Sequence, residues 1–141
     1  MPYYNAEEEL ALHRLVKNLI YSGVIESAHD CSEGGVWVAL MEKTFNRSVG
    51  FSVKAPERAA DGKPLRVDAC WFGESQGRVV VSVSPQNRAA FLQLTATGST
   101  PITFLGVTTQ ESIELDGQHW GSVRDWKIQY DSAIGVVMNK G

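Results

Sequence analysis

Residues 27–41 read Ser27-Ala28-His29-Asp30-Cys31-Ser32-Glu33-Gly34-Gly35-Val36-Trp37-Val38-Ala39-Leu40-Met41, and they change structural character within a few positions. Ser27 to Asp30 is a short extended segment. Ser32 to Gly35 then opens a helix that continues to about Phe45. Because Val36 to Met41 are apolar all the way round, that helix must be covered on several sides and lie deep in the fold. A strand that feeds a deep helix through two glycines implies that helices and strands share a core.

Toward the N-terminus, Asn5 and Glu8 have the spacing of a capping box, and Leu12, Leu15, Val16, Leu19 and Ile20 fall on one helical face. With Gly23 as a C-terminal stop, the spacing predicts a helix over 6–22. Downstream, Val49 to Val53 alternates like a half-buried strand, and residues 54–66, with Pro56, Asp61-Gly62 and Pro64, read as a polar loop. Val79, Val80, Val81 and Val83 form the most strand-like run. Ser84-Pro85 starts a helix closed by Gly98. Ile102 to Thr108 and Ser112 to Leu115 are further strands, and the Asp116-Gly117 turn leads to a short strand at Gln118 to Trp120. Ser122 and Asp125 form a second capping box, followed by a helical face of Val123, Trp126, Tyr130, Ala133, Ile134 and Val137. The pattern is that of an α+β domain with a mixed β-sheet packed with helices. No repeat or linker divides it, so residues 1–141 are expected to form a single domain.

The composition supports this and excludes other classes. Of the 141 residues, 43% are hydrophobic and 21% charged, which disfavours a disordered chain, a collagen or a coiled coil. No apolar run approaches the ~20 residues of a membrane span, and no signal segment opens the chain, so the expectation is a cytoplasmic protein with no membrane partner. Thirteen basic against sixteen acidic side chains, with no basic run, give no electrostatic footprint for nucleic acid. Cys31 and Cys70 lack the spacing of a zinc site, which points to reduced, buried thiols.

Two polar clusters interrupt the apolar segments. The first, His29 to Gly35, ends at a helix start, where unpaired N–H groups can hold phosphate and two glycines allow close approach. Asp30 could there bind magnesium. Equally, Asp30 and Ser32 could simply cap the helix, the glycines could serve close packing, and His29 could be a hydrogen-bonded structural histidine. The second cluster, Gly73-Glu74-Ser75-Gln76-Gly77, matches the G-x-S-x-G of a hydrolase elbow, with Asp116 and His119 downstream. An elbow needs a strand before the serine and a helix after it, and Arg78 to Ser84 reads as a strand instead. The Glu-Ser-Gln triplet can then present two acceptors and an amide to a ligand, with Arg78 balancing Glu74, or it can be a solvated turn. His13 belongs to a polar helix face. His119-Trp120 reads as a strand pair, and the four tryptophans read as packing residues.

Ser27 to Gly35 followed by Val38-Ala39-Leu40, and Phe72-Gly73-Glu74-Ser75-Gln76-Gly77-Arg78 followed by Val79 to Val83, together resemble the carboxy-terminal domain of the phosphoribosylformylglycinamidine synthases. The resemblance extends from the opening helix to Met138. These enzymes share a superfamily with aminoimidazole ribonucleotide synthetase and selenophosphate synthetase. The resemblance implies the fold of the C-terminal domain of aminoimidazole ribonucleotide synthetase, an α/β sandwich. It also implies a place as the last of two such domains in an ATP-dependent amidoligase of purine biosynthesis. That ligase converts formylglycinamide ribonucleotide and glutamine-derived ammonia to formylglycinamidine ribonucleotide. Asp30, Ser32, Gly34, Gly35, Glu74, Ser75 and Gln76 would line a pseudo-symmetric equivalent of the substrate site, open to a structural nucleotide, a metal at Asp30, or nothing. No catalytic residue is carried over. ATP and magnesium belong to the full-length enzyme, and none is expected tightly bound to this segment alone. Implied partners are the remaining domains and a glutaminase, with self-association of the segment, through apolar residues exposed beside the two loops such as Trp71 and Phe72, an accompanying expectation. Cys31 and Trp37 depart from the small aliphatic residues usual in the family and receive no role. A stand-alone binding or scaffold domain with the same fold is the competing interpretation.

Overall fold

The computed structural model describes residues 4–45, 47–58 and 62–138, with side chains described as far as residue 133. Asp61 and the side chains of Ile134 and Val137 lie outside the described residues. In chain order the elements are α1 (Ala6–Tyr21), β1 (Ser27–Asp30), α2 (Gly35–Phe45), β2 (Gly50–Val53), α3 (Val67–Phe72), β3 (Val79–Ser82), α4 (Arg88–Ala96), β4 (Gly106–Thr109), β5 (Ser112–Leu115), β6 (Gln118–Ser122) and α5 (Val123–Met138). They form two compact units, Met1–Ala39 with Arg58–Thr103, and Leu40–Glu57 with Phe104–Gly141.

In the first unit, the Asn5 carboxamide oxygen accepts from the Glu7 and Glu8 amides at 3.0 and 3.4 Å, and its Nδ2 donates to Glu8 Oε1 at 2.9 Å. That is the expected capping box. Gly23, with φ +65°, follows the C-terminal cap Ser22. Strands β1 and β3 pair antiparallel from Ser27↔Ser82 to Asp30↔Val79. The Ser27 and Ser82 hydroxyls share a 2.5 Å hydrogen bond, and Cys31 N–H donates to the Arg78 carbonyl at 2.9 Å just beyond the ladder. Trp71 and Leu19 are the largest fully buried side chains here.

The second unit holds a four-stranded sheet in the order β4-β2-β5-β6, with β2 antiparallel to β4, parallel to β5, and β5 antiparallel to β6. The sheet is therefore mixed, as the sequence predicts. Period-2 alternation buries Phe51, Val53, Ile113 and Leu115 on one face, while Ser52 and Glu114 on the other are only half-buried and joined by a 2.9 Å hydrogen bond. Asp116 and Gly117, both with positive φ, make the tight turn between β5 and β6, and Asp116 Oδ1 accepts from the Ala55 amide at 2.7 Å. Ser122 Oγ bonds the Asp125 amide and carboxylate, the second capping box.

Helix α2 passes from one unit into the other, with Val36, Trp37, Ala39, Leu40 and Met41 all buried, as its all-round apolar character requires. Three boundaries differ from expectation. Residues 67–72 form α3, which no periodicity announced. The segment from Ser84 begins with a 3-10 turn, Pro85–Asn87, before α4. The strand expected over Ile102 to Thr108 forms as β4 only from Gly106 to Thr109, with the Leu105 carbonyl accepting from the Lys54 amide at 2.8 Å just before it.

Candidate functional site

Because β1 and β3 are antiparallel, the chain leaves β1 at Asp30 at the same end at which it enters β3 at Val79. The loop after β1 and the turn before β3 therefore meet, although Gly34 and Glu74 are 40 residues apart in sequence. Gly34 N–H donates to Glu74 Oε1 at 3.0 Å. A Cβ on Gly35 would lie 2.6 Å from the Gly73 carbonyl oxygen and 2.8 Å from that of Trp71. Gly35 also has φ +65° and Gly34 has φ +77°, so both glycines are required by close approach and by backbone conformation.

The turn itself is held at several points. Gly73 N–H donates to Ala69 O at 3.1 Å as α3 ends. Arg78 donates from Nη1 to Cys70 O at 3.1 Å and from Nη2 to Gly73 O. A guanidinium at a helix C-terminus satisfies carbonyls the helix leaves open and complements their partial negative charge. Gly77, with φ +71°, lies beneath α1, since a Cβ there would sit 2.7 Å from Glu9 Oε1. What remains at the tip is exposed: Glu74, Ser75 and Gln76 on the turn, Asp30 and Ser32 on the loop, with Gly34 half-buried and Gly35 buried. Among the described residues, the Ser75 and Gln76 side chains make no hydrogen bond.

All seven expected site residues are thus brought to one end of the β1–β3 ladder. The roles inside the cluster differ from the sequence reading. Arg78 does not balance Glu74, because α3 supplies carbonyls that take its donors. Neither Asp30 nor Ser32 caps α2 through its side chain among the described residues; the Glu74 carboxylate fills that place. Trp71, expected as an exposed residue beside the loops, is 1% exposed, while Phe72 stands 48% exposed and lies against Trp37 with ring centroids 6.5 Å apart. The hydrolase pattern is excluded by order, since helix α3 precedes Ser75 and strand β3 follows it, the reverse of a nucleophile elbow. His29 is half-buried on β1, and His13 is exposed with Nε2 3.8 Å from Glu9. Cys31 and Cys70 are buried and form no disulfide. Trp126 Nε1 donates to the Trp120 carbonyl at 2.7 Å, a packing role.

The cluster does not by itself fit nucleotide phosphates or magnesium. The Gly34 amide that would meet a phosphate oxygen already bonds a carboxylate, and the two terminal nitrogens of Arg78 are turned to backbone carbonyls. Among the described residues, no three His, Cys, Asp or Glu side chains converge as a metal site, so Asp30 would need ligands from elsewhere.

Residues 4–116 match the family described as AIR synthase related protein, C-terminal domain. Among curated relatives, the phosphoribosylformylglycinamidine synthase subunit PurL of Anaeromyxobacter dehalogenans (strain 2CP-1) is 30% identical over 99% of this chain, and that of Salinibacter ruber is 42% identical over 63%. These alignments take in 19% and 11% of the two relatives, so the chain spans about a fifth or less of their length. Among solved structures, Thermotoga maritima PurL complexed with FGAR aligns with a TM-score of 0.66 and 20% identity over 88% of this chain and 21% of that one. The same protein complexed with ATP aligns with a TM-score of 0.61 and 21% identity over 81% of this chain and 20% of that one. The structural matches establish the shared fold.

Proposed function

Since the chain belongs to the AIR synthase related family as its C-terminal domain, we propose that it serves as the last such domain of a PurL-type phosphoribosylformylglycinamidine synthase. In this reading the intact enzyme is an ATP-dependent ligase of purine biosynthesis in the cytoplasm. It converts formylglycinamide ribonucleotide and glutamine-derived ammonia to formylglycinamidine ribonucleotide, with ADP, phosphate and glutamate released overall. ATP with magnesium supplies activation of the amide oxygen at sites that other parts of the enzyme complete. This chain's two units act together as one domain, with the remaining domains and a glutaminase as partners.

The observation that supports this best is the meeting of the two motif loops at one end of β1–β3, closed by the Gly34–Glu74 hydrogen bond. The motifs on which the resemblance rests are far apart in sequence and adjacent in the fold. The cluster lacks the cations and ligand set needed to handle a triphosphate alone, so the 141-residue chain is inactive by itself. The test supplies the purified chain with formylglycinamide ribonucleotide, ATP, magnesium and ammonia, and then adds a PurL relative lacking its matching segment. Substrate-dependent ADP release only in the mixture is expected. Release by the chain alone, or absence of both binding and release in the mixture, overturns the proposal.

A further inference from the structure

Three groups in the motif pair could receive an anion: the α2 N-terminus, the Arg78 guanidinium, and the glycine-flanked backbone of the turn. Each is already engaged, the guanidinium through its two terminal nitrogens while its Nε is buried without a hydrogen-bond partner among the described residues. The Gly34 N–H donates to Glu74 Oε1 at 3.0 Å. Arg78 donates to Cys70 O and Gly73 O from its two terminal nitrogens. The backbone around Gly35 is packed against the carbonyls of Trp71 and Gly73, and Gly77 lies against the Glu9 carboxylate. A phosphate at the Gly34 amide would have to displace the Glu74 carboxylate.

We propose that Glu74 is a positioning residue rather than a ligand contact: its carboxylate occupies the α2 N-terminus in place of an external anion and fixes the turn so that Ser75 and Gln76 present their uncharged side chains outward. This rests on the reading that the turn faces a ligand in the assembled enzyme, and it divides the Glu-Ser-Gln triplet into one tether and two presenting groups. The hydroxyl and carboxamide, exposed and without hydrogen-bond partners among the described residues, suit a neutral polar group such as a hydroxyl or carboxamide. The geometry that carries the assignment is direction. Glu74 turns back to a backbone amide 40 positions earlier, while its two successors do not.

The test uses amide-resolved NMR of the 141-residue chain, so it is independent of synthase turnover. Titration of the unaltered chain with inorganic phosphate at constant ionic strength should leave the Gly34, Gly35, Ser75 and Gln76 amides without saturable shifts. In Glu74→Ala, Gly34 hydrogen exchange should quicken roughly five- to tenfold, the effect of losing a capping hydrogen bond, and the Ser75 and Gln76 signals should move. Glu74→Gln, which keeps an acceptor oxygen, should restore both. If Glu74→Ala does not fold, Glu74→Asp, one methylene too short to reach Gly34, takes its place. Saturable phosphate binding at Gly34 and Gly35 in the unaltered chain, or unchanged Gly34 exchange in the shortened variant, overturns the proposal. Failure of the synthase mixture with these NMR results intact would instead overturn only the functional reading above.

Discussion

The β1–β3 ladder of the first unit and the four-stranded sheet of the second are built from equally strand-like sequence but are covered to different degrees. In the sheet, Phe51, Val53, Ile113 and Leu115 are all buried, while Ser52 and Glu114 on the other face are only half-buried. In the ladder, Val79, Val80 and Val81 are each only half-buried, with no alternation at all. A valine run of that kind suits a strand covered on both faces, and two strands alone cannot provide such cover. The sheet therefore draws its stability from burial. The site loops, attached to the ladder, draw their geometry from hydrogen bonds and backbone contact at glycines.

The comparison predicts a graded series. The largest loss should come from the sheet: Ile113 is 0% exposed, and Ile113→Ala is expected to cost about 2–5 kcal/mol in chemical denaturation. A cost under ~1 kcal/mol would break the contrast. Next comes the glycine junction. Gly35→Ala should cost about 1–3 kcal/mol, because the added Cβ meets two carbonyl oxygens and φ is positive. Gly62→Ala has the same sign of φ but open space around it, and should cost only about 1 kcal/mol. Equal losses at the two glycines would show that strain, not loop contact, governs the junction. Ser75→Ala should leave the thermal midpoint unchanged and ester hydrolysis at background, since the side chain is exposed and no elbow exists. Hydrolysis above background that vanishes in the variant would contradict this.

A small, pH-dependent effect belongs to the Arg66–Asp68 pair before α3. The Arg66 hydrogen bond, assisted by its charge, holds the Asp68 carboxyl below the usual carboxylate range, and both side chains are exposed. A depressed carboxyl favours the folded state above its unfolded-state pKa, and that favour is lost as pH falls through the folded-state value. Solvent screening makes it minor. Arg66→Ala should therefore lower the midpoint at neutral pH only slightly, and that small difference should disappear as pH falls along the acid limb of a pH–stability curve. A clear neutral-pH loss would assign α3 a larger electrostatic anchor than its geometry provides.

Much of this architecture was legible because its signals are local. Both capping boxes, the Asp116-Gly117 turn, the α2 burial and the mixed sheet follow from side-chain spacing and turn chemistry. The errors share one source. Val67 to Phe72 is too short for a helical period, mixes β-branched and aromatic residues, and has no side-chain cap at Arg66, so α3 was silent. Without α3 there was nothing to turn Trp71 inward and no helix end to claim Arg78, and both residues were misplaced as a result. Glu74 as the cap of α2 was equally hidden, since a capping carboxylate from 40 residues away leaves no mark in local sequence.

The division of the chain between the units has a consequence for any attempt to dissect it. Each unit is made of two separate stretches, and Arg58–Thr103 of the first is inserted between Leu40–Glu57 and Phe104–Gly141 of the second. The parallel pair β2–β5 can form only after that insertion has been looped out, because Phe51 pairs with Ile113. Neither unit can be released by a single cut, and a circular permutant opened between α3 and β3 would separate stretches that the native order keeps together. Pairing this remote in sequence is slow relative to helix formation, so on refolding α1 and the β5–β6 hairpin should acquire structure before the remote strand pairs close.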